Sequence, residues 1–420
     1  MVTTEKTGST VENDENSYPE GGLRAWGVVL GAFCIMLCVF GVINSAAVFE
    51  LHFREHQLSD HSHAKISWIF SLYLFTVYFV GILAGPIFDR HGHRILVALG
   101  SLCVVTSPML LSISSEYYQI VLTFSILSGL GGSLINSPAY AAIGHFFYKR
   151  RGFATGIAAS AGGVGGVIFP LMLRSTLESV GFGWSMRVLG FTLLFLLVPS
   201  NLLLTTRVSA TKGTQRSAWP DFRVFKDPKF SLCCVGIFLM EYGVLIPLTY
   251  IMSYAEAHGL DVGGSYMLPA LLNAGSVVGR ILPGLASDKM GRFNMLIVTV
   301  GGCAVVVLAL WLPAGDSKPM LIAFTTLLGF TSGGNVSLIP VCIGQICDTQ
   351  NYGRFLSTAM LVAGFGTLTG IPIGGAILGL DDRVRWTGLI LFSGISYVAS
   401  FMCYSAARIL AVGWSPLAVY

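Results

Sequence analysis

Charge is what this sequence has little of. Across 420 residues, Asp, Glu, Lys and Arg together make 11%, less than half of the roughly one quarter usual in soluble domains. Hydrophobic residues make 54%. A soluble chain of this length would form two or three domains, and their surface would need far more charge to stay hydrated. Most of this surface therefore faces lipid, which excludes a cytosolic enzyme and a secreted disulfide scaffold. The net charge of +4 is too small to recruit nucleic acid. Nine cysteines sit in or beside apolar runs without a Cys-x-x-Cys pair, so neither a metal site nor a disulfide framework is indicated. No phosphate-binding Gly-rich loop with Lys, no His-Glu-x-x-His and no Gly-x-Ser-x-Gly occurs. The first absence excludes ATP-driven transport by this chain alone, and the others leave no sign of an enzyme. No cofactor is expected.

Long apolar runs are present instead. They are continuous rather than alternating, which disfavours an outer-membrane barrel. A spanning helix needs about 20 apolar residues, and twelve such runs lie between residues 25 and 411. The longest break, 205–229, is polar and basic and divides them six and six. The expected organisation is a disordered tail (1–24), a six-helix half (25–204), a linker (205–229), a second six-helix half (230–411) and a short tail (412–420). With the N-terminus inside, cytoplasmic segments hold 17 Lys and Arg and the opposite side 6. That bias places both termini in the cytoplasm, most simply at the plasma membrane. The first outer loop, 49–65, then carries His52, His56, His61 and His63 beside Glu55 and Asp60, and reads as a solvated loop.

The halves repeat. Gly85, Asp89, Arg90, Gly92 and Arg94 follow the second span, and Gly284, Asp288, Lys289, Gly291 and Arg292 follow the eighth. Gly85, Asp89 and Gly92 each recur 199 residues later. Gly131, Gly132 and Pro138 recur as Gly333, Gly334 and Pro340, an offset of 202. Duplicated six-helix halves are an architecture of secondary transporters, with the substrate site between the halves. A carboxylate at a helix end can also cap the N-terminus of a neighbouring helix.

The doubled Gly-x-x-x-Asp-Arg/Lys-x-Gly motif resembles the signature of the major facilitator superfamily, in which it steadies one conformation of two rocking halves. Two further segments resemble its monocarboxylate-porter branch, and most of all the fungal members. They are Glu20-Gly21-Gly22 up to Trp26 before the first span, and Phe147-Tyr148-Lys149-Arg150-Arg151 leading into the fifth. The resemblance covers about residues 18–411 and implies an all-α membrane protein of twelve helices in two pseudo-symmetric halves. It implies a monomeric secondary carrier of a small organic molecule, either a monocarboxylate-like anion or an exported secondary metabolite, working by alternating access. A non-transporting nutrient receptor on the same fold is the alternative. This chain departs from the animal members in carrying Asn44 where they have a coupling lysine and Ser276 where they have an aspartate; it retains the arginine, Arg280. A substrate larger or less acidic than lactate follows.

Charges inside spans are expensive, about 2.5–3.5 kcal/mol each on insertion scales, and mark function. Arg280 and Glu241 lie well inside adjacent spans at similar depth and are expected to pair. Glu241 is the acid available for proton coupling. Asn44, Tyr73, Asn136, Tyr140, Tyr242, Asn273 and Asn335 are the polar groups at mid-span depth, some bonding helix to helix and some lining the site. Small residues recur at four-residue steps in Gly162 and Gly166, and in Gly366, Gly370 and Gly374. That spacing lets helices approach closely, in sliding or in static contact.

Overall fold

The computed structural model describes residues 18–207, 222–260, 262–348, 351–378 and 383–414. Among them the regular structure is entirely helical. The N-terminal half comprises α1 (Leu23–Asn44), α2 (Ala46–Glu55), α3 (His63–His91), α4 (Arg94–Leu111), α5 (Tyr117–Ile120), α6 (Gly129–Phe146) and α7 (Arg151–Leu203). A π-helical stretch, Val121–Ser128, joins α5 to α6 as one span. The C-terminal half comprises α8 (Pro228–Ala257), α9 (Val262–Met290), α10 (Arg292–Val306), α11 (Lys318–Ile346), α12 (Tyr352–Leu378) and α13 (Arg383–Val412).

Among the described residues, eleven helices are long and apolar enough to cross a membrane. The twelfth is hidden in α7, whose 53 residues would reach on the order of 80 Å against a hydrocarbon core of about 30 Å. Gly181 breaks it, with φ 74° and ψ 173°, so the chain turns back as two spans. Large apolar side chains such as Leu99, Phe195, Leu202, Val305 and Met402 point outward, as lipid contact requires. Helices satisfy their own backbone groups, and this lets them sit in lipid.

Local sequence sets several helix ends. Asp227 caps α8 by accepting from the Lys229 amide at 2.9 Å, with Pro228 as the first helical residue. The motif glycines Gly92 and Gly291 have φ of 82° and 93°. Only glycine adopts that region at little cost, so each reverses the chain between consecutive spans. The halves meet along two helix pairs that the repeat relates, α3 with α12 and α7 with α9.

Two expectations need correcting. The first outer segment is not a loop from residue 49, because α2 continues as helix to Glu55. Its His52 ring stacks on Phe182 at 5.0 Å and on His56 at 4.3 Å. The N-terminal segment is also ordered well before residue 24. Tyr18 stacks on Tyr148, 5.4 Å between centroids, and Glu20 is bonded into the bundle. Residues 1–17, most of the 205–229 segment and 415–420 lie outside the described residues.

Candidate functional site

Two zones carry the candidate residues. At the motif-bearing end, each repeated aspartate caps a helix of the other half. Asp89 of α3 accepts from the Gly353 and Arg354 amides at 3.1 and 2.9 Å, at the start of α12. Asp288 of α9 accepts from the Gly152 and Phe153 amides at 2.8 and 2.9 Å, at the start of α7. First-turn amides lack intrahelical partners, and the helix dipole favours an anion there. Gly85 brings the backbones together: a Cβ on it would strike the Gly353 carbonyl and Ser357 Oγ on α12. Gly152 does the same for α9, where a Cβ would meet Ser287 Oγ and the Gly284 carbonyl.

The charged partners of the two motifs differ. Arg90, Arg94 and Lys289 are exposed. Arg292 is buried and crosses to the other half, donating to the Tyr148 carbonyl and lying 5.1 Å over the Tyr148 ring. Its counterpart at the 199-residue offset is His93, which stays in its own half against Thr206 Oγ1 at 3.2 Å. Burial, and then Arg94, push His93 below the ordinary histidine pKa.

Two residues that the sequence placed in the resembling segments, without assigning them a contact, also act at this end. Arg151, only 2% exposed, donates to the Gly144 carbonyl at 2.8 Å and to the Gly344 carbonyl at 3.0 Å. These carbonyls terminate α6 and α11, one from each half. In the sequence Arg151 is the last of three consecutive basic residues, which reads as a topology signal. Glu20 accepts from the Tyr148, Lys149 and Arg150 amides at 2.7, 2.7 and 3.1 Å. The two segments that suggested the monocarboxylate-porter resemblance therefore bond to each other.

The second zone is mid-span. Arg280 is 9% exposed and donates through Nη1 to the Ala159 carbonyl of α7, beside Gly162. Asn44 of α1 donates to the Gly162 carbonyl at 2.8 Å. Asn273 fills the space at Gly166, 2.5 Å from where a Cβ would stand. The Gly162 and Gly166 steps thus make room for polar side chains rather than a bare backbone contact. The same holds in α12, where Gly366 faces Glu241 and Gly370 faces Tyr242. Tyr242 shares a hydrogen bond with Thr369 at 2.9 Å.

The expected Glu241–Arg280 ion pair is absent. Arg280 uses the Ala159 carbonyl instead, and its buried Nε has no hydrogen-bond partner. Glu241, half-buried, has no ion-pair partner among the described residues. Tyr78 of α3, which the sequence did not single out, lies within electrostatic range of both charges and of Tyr140. Tyr140 in turn lies within range of Arg280. Tyr73 and Asn335 stay in their own halves. Tyr73 donates to the Val39 carbonyl at 3.0 Å, and Asn335 donates to Cys303 Sγ at 3.3 Å. Asn136 is buried on α6 with its Oδ1 unpaired.

Two six-helix halves, a pseudo-symmetric pair of cross-half caps and charges at mid-depth define a multi-pass membrane transporter. The family model of the Major Facilitator Superfamily matches residues 28–320, and the chain belongs to that family. It is 37% identical to a riboflavin transporter of Saccharomyces cerevisiae, over 98% of this chain and 84% of that one. It is 38% identical to a transporter of the same superfamily from Aspergillus flavus, over 96% and 90% of the two chains. A fujikurins efflux protein of Gibberella fujikuroi is 36% identical over 93% and 84%. Among solved structures, the superfamily transporter FucP in its outward conformation matches with TM-score 0.68 at 15% identity, covering 90% of this chain and 98% of that one. The protein is thus a transporter of a small molecule across a membrane.

Proposed function

We propose that the protein is a secondary active carrier of a small organic anion, or of a secondary metabolite bearing a comparable acceptor group. It works as a monomer at the plasma membrane, with both termini and the 205–229 segment cytoplasmic. The motif end is then the cytoplasmic gate, latched by Asp89 and Asp288. The observation that carries the reading is Arg280, a cation held at mid-depth with Nη1 on a carbonyl and Nε unmet. A guanidinium stays protonated in a protein, so a carboxylate, enolate or imide edge on the substrate is its natural complement. Relatives named for riboflavin transport and for fujikurins efflux support an organic substrate larger than lactate, and leave both uptake and export open. Glu241 supplies the group that can take up a proton during the cycle.

Counterflow of labelled riboflavin and of labelled monocarboxylates into liposomes holding the full chain tests this directly. A receptor would bind without counterflow. Arg280→Lys keeps the charge and loses the planar fork. Losing a hydrogen bond to a charged group costs about 1.5–3 kcal/mol, so substrate affinity should fall roughly 10- to 100-fold. Unchanged affinity at normal membrane insertion would make Arg280 structural. Glu241→Gln should flatten the pH dependence of transport; a variant as pH-dependent as the parent would exclude proton coupling there.

A further inference from the structure

The repeat makes a comparison inside the molecule that points to a second binding element. At the 199-residue offset the counterpart of Arg280 is Gly81 of α3. One half presents a guanidinium; the other presents a gap. Facing that gap from α6 are Ser133 and Ser137, whose Oγ atoms would stand 3.4 and 3.7 Å from a Cβ on Gly81. Asn136 lies between them in sequence, and Ser133, Asn136, Ser137 and Tyr140 recur at steps of three, one and three, which is one helix face. Ser133 is 1% exposed and Asn136 is 7% exposed. Yet Ser133 Oγ and Asn136 Oδ1 have no hydrogen-bond partner. At the 202-residue offset Ser133 matches Asn335 of α11, which is also buried and polar with an unmet Oδ1, whereas Asn136, Ser137 and Tyr140 match Leu338, Ile339 and Cys342. Polarity at these last three positions is therefore confined to the N-terminal half.

Leaving a buried polar group unmet is costly, and each such group in a native protein calls for an explanation. We propose that Gly81, Ser133, Asn136 and Ser137 form a neutral subsite that receives a hydroxyl-bearing arm of the substrate while Arg280 holds its acceptor group. Tyr140, one turn from Asn136 and within electrostatic range of Arg280, joins the two elements. The subsite rests on the organic-substrate reading above and narrows it: the cargo carries an uncharged hydroxylated portion as well as an acceptor edge. An uncharged, small-walled niche suits a hydroxyl, which both donates and accepts, better than a second charge.

Two substitutions separate this from a niche that only holds structural water. Ser133→Ala removes one unmet hydroxyl. Gly81→Ala partly fills the gap at ordinary contact distance and favours the helix. Both are measured in the purified full chain by melting temperature without ligand, and by binding of two matched probe pairs. Riboflavin against lumichrome, and gluconate against hexanoate, each compare a hydroxylated molecule with one lacking the hydroxyls. The expected result is an unchanged or higher melting temperature for both variants. The parent should prefer the hydroxylated member of a pair, and that preference should fall about tenfold in the variants, one hydrogen bond's worth, with the other member unaffected. A lower melting temperature for unliganded Ser133→Ala would reveal a structural water network and overturn the proposal. So would a preference that survives both variants, or equal weakening of both members. Binding by all four probes without preference removes the subsite alone. Binding by none removes the organic-substrate reading of Arg280, and the subsite with it.

Discussion

The motif end and the mid-span zone use polar groups in opposite ways. At the motif end, Asp89, Asp288, Arg151 and Glu20 each meet helix-terminal backbone groups. Those contacts cross between halves at Asp89, Asp288 and Arg151. In the mid-span zone, Arg280 Nε, Ser133 Oγ and Asn136 Oδ1 are buried and unmet. One region commits its charged groups to contacts that hold helix to helix, and the other keeps a buried guanidinium nitrogen, a hydroxyl and an amide oxygen unmet. The difference fits a carrier whose gate must close on its own, while its site must wait for cargo. It also gives the reason the two motif aspartates rely on backbone amides: helix ends cannot change identity, so a carboxylate set against them works in any sequence that keeps the helix.

The gate half of this comparison breaks most severely at Gly85. Its Cβ would strike the Gly353 carbonyl, and backbone cannot move aside as a long side chain can. Overpacking of this kind costs about 1–3 kcal/mol, so Gly85→Ala should reduce the latched population roughly 10- to 100-fold. Counterflow should drop in proportion. Spin labels on the motif ends of α3 and α12 would report the separation, and an unchanged distance distribution would refute the close-approach argument.

A milder change removes the charge and keeps an acceptor. Helix caps contribute about 0.5–2 kcal/mol, and asparagine remains a fair cap. Asp89→Asn and Asp288→Asn should therefore each slow transport by roughly two- to tenfold while folding persists. Rates matching the parent in both variants, at equal surface expression, would reduce the motifs to topology signals.

The smallest effect is expected from His93, where the two motifs differ. Its folded pKa lies below the ordinary value of 6.5 because burial and Arg94 disfavour the charged form. Below pH about 6.5 the unfolded chain then binds more protons at this site than the folded one, so stability declines as pH falls through that window. Comparing melting temperatures at pH 7.5 and 5.5, His93→Asn should lose slightly less than the parent. The aspartate on the opposite motif side has Arg292 in place of this histidine, and no such acid sensitivity is expected from that arginine.

Much of the fold was legible because lipid is an unforgiving solvent. Apolar length alone marks a spanning helix, so the α7 doublet was readable as two spans even though its helix is broken only at Gly181. The duplicated motifs were legible because both copies carry the residues that a one- or two-residue turn and a close approach demand. The partners of those motifs were not. Nothing local in Lys149-Arg150-Arg151 distinguishes the one side chain that turns inward to bridge Gly144 and Gly344. Nor does depth along two helices say whether two charges touch: Glu241 and Arg280 were matched in height, but a pair also requires facing azimuths, and Arg280 faces α7.

The sequence by itself determined the solvent, the number of spans, the duplication and which residues are costly enough at mid-depth to need a reason. Each depends only on composition or on spacing along one chain. Tertiary structure decided which helix each aspartate caps, that the Glu20 and Arg151 segments join, that Arg280 and Glu241 stand apart, and that Ser133 and Ser137 of α6 face Gly81. These depend on rotation and crossing of helices about one another. Many combinations of rotation satisfy the same hydropathy pattern, and side-chain packing between the halves selects among them.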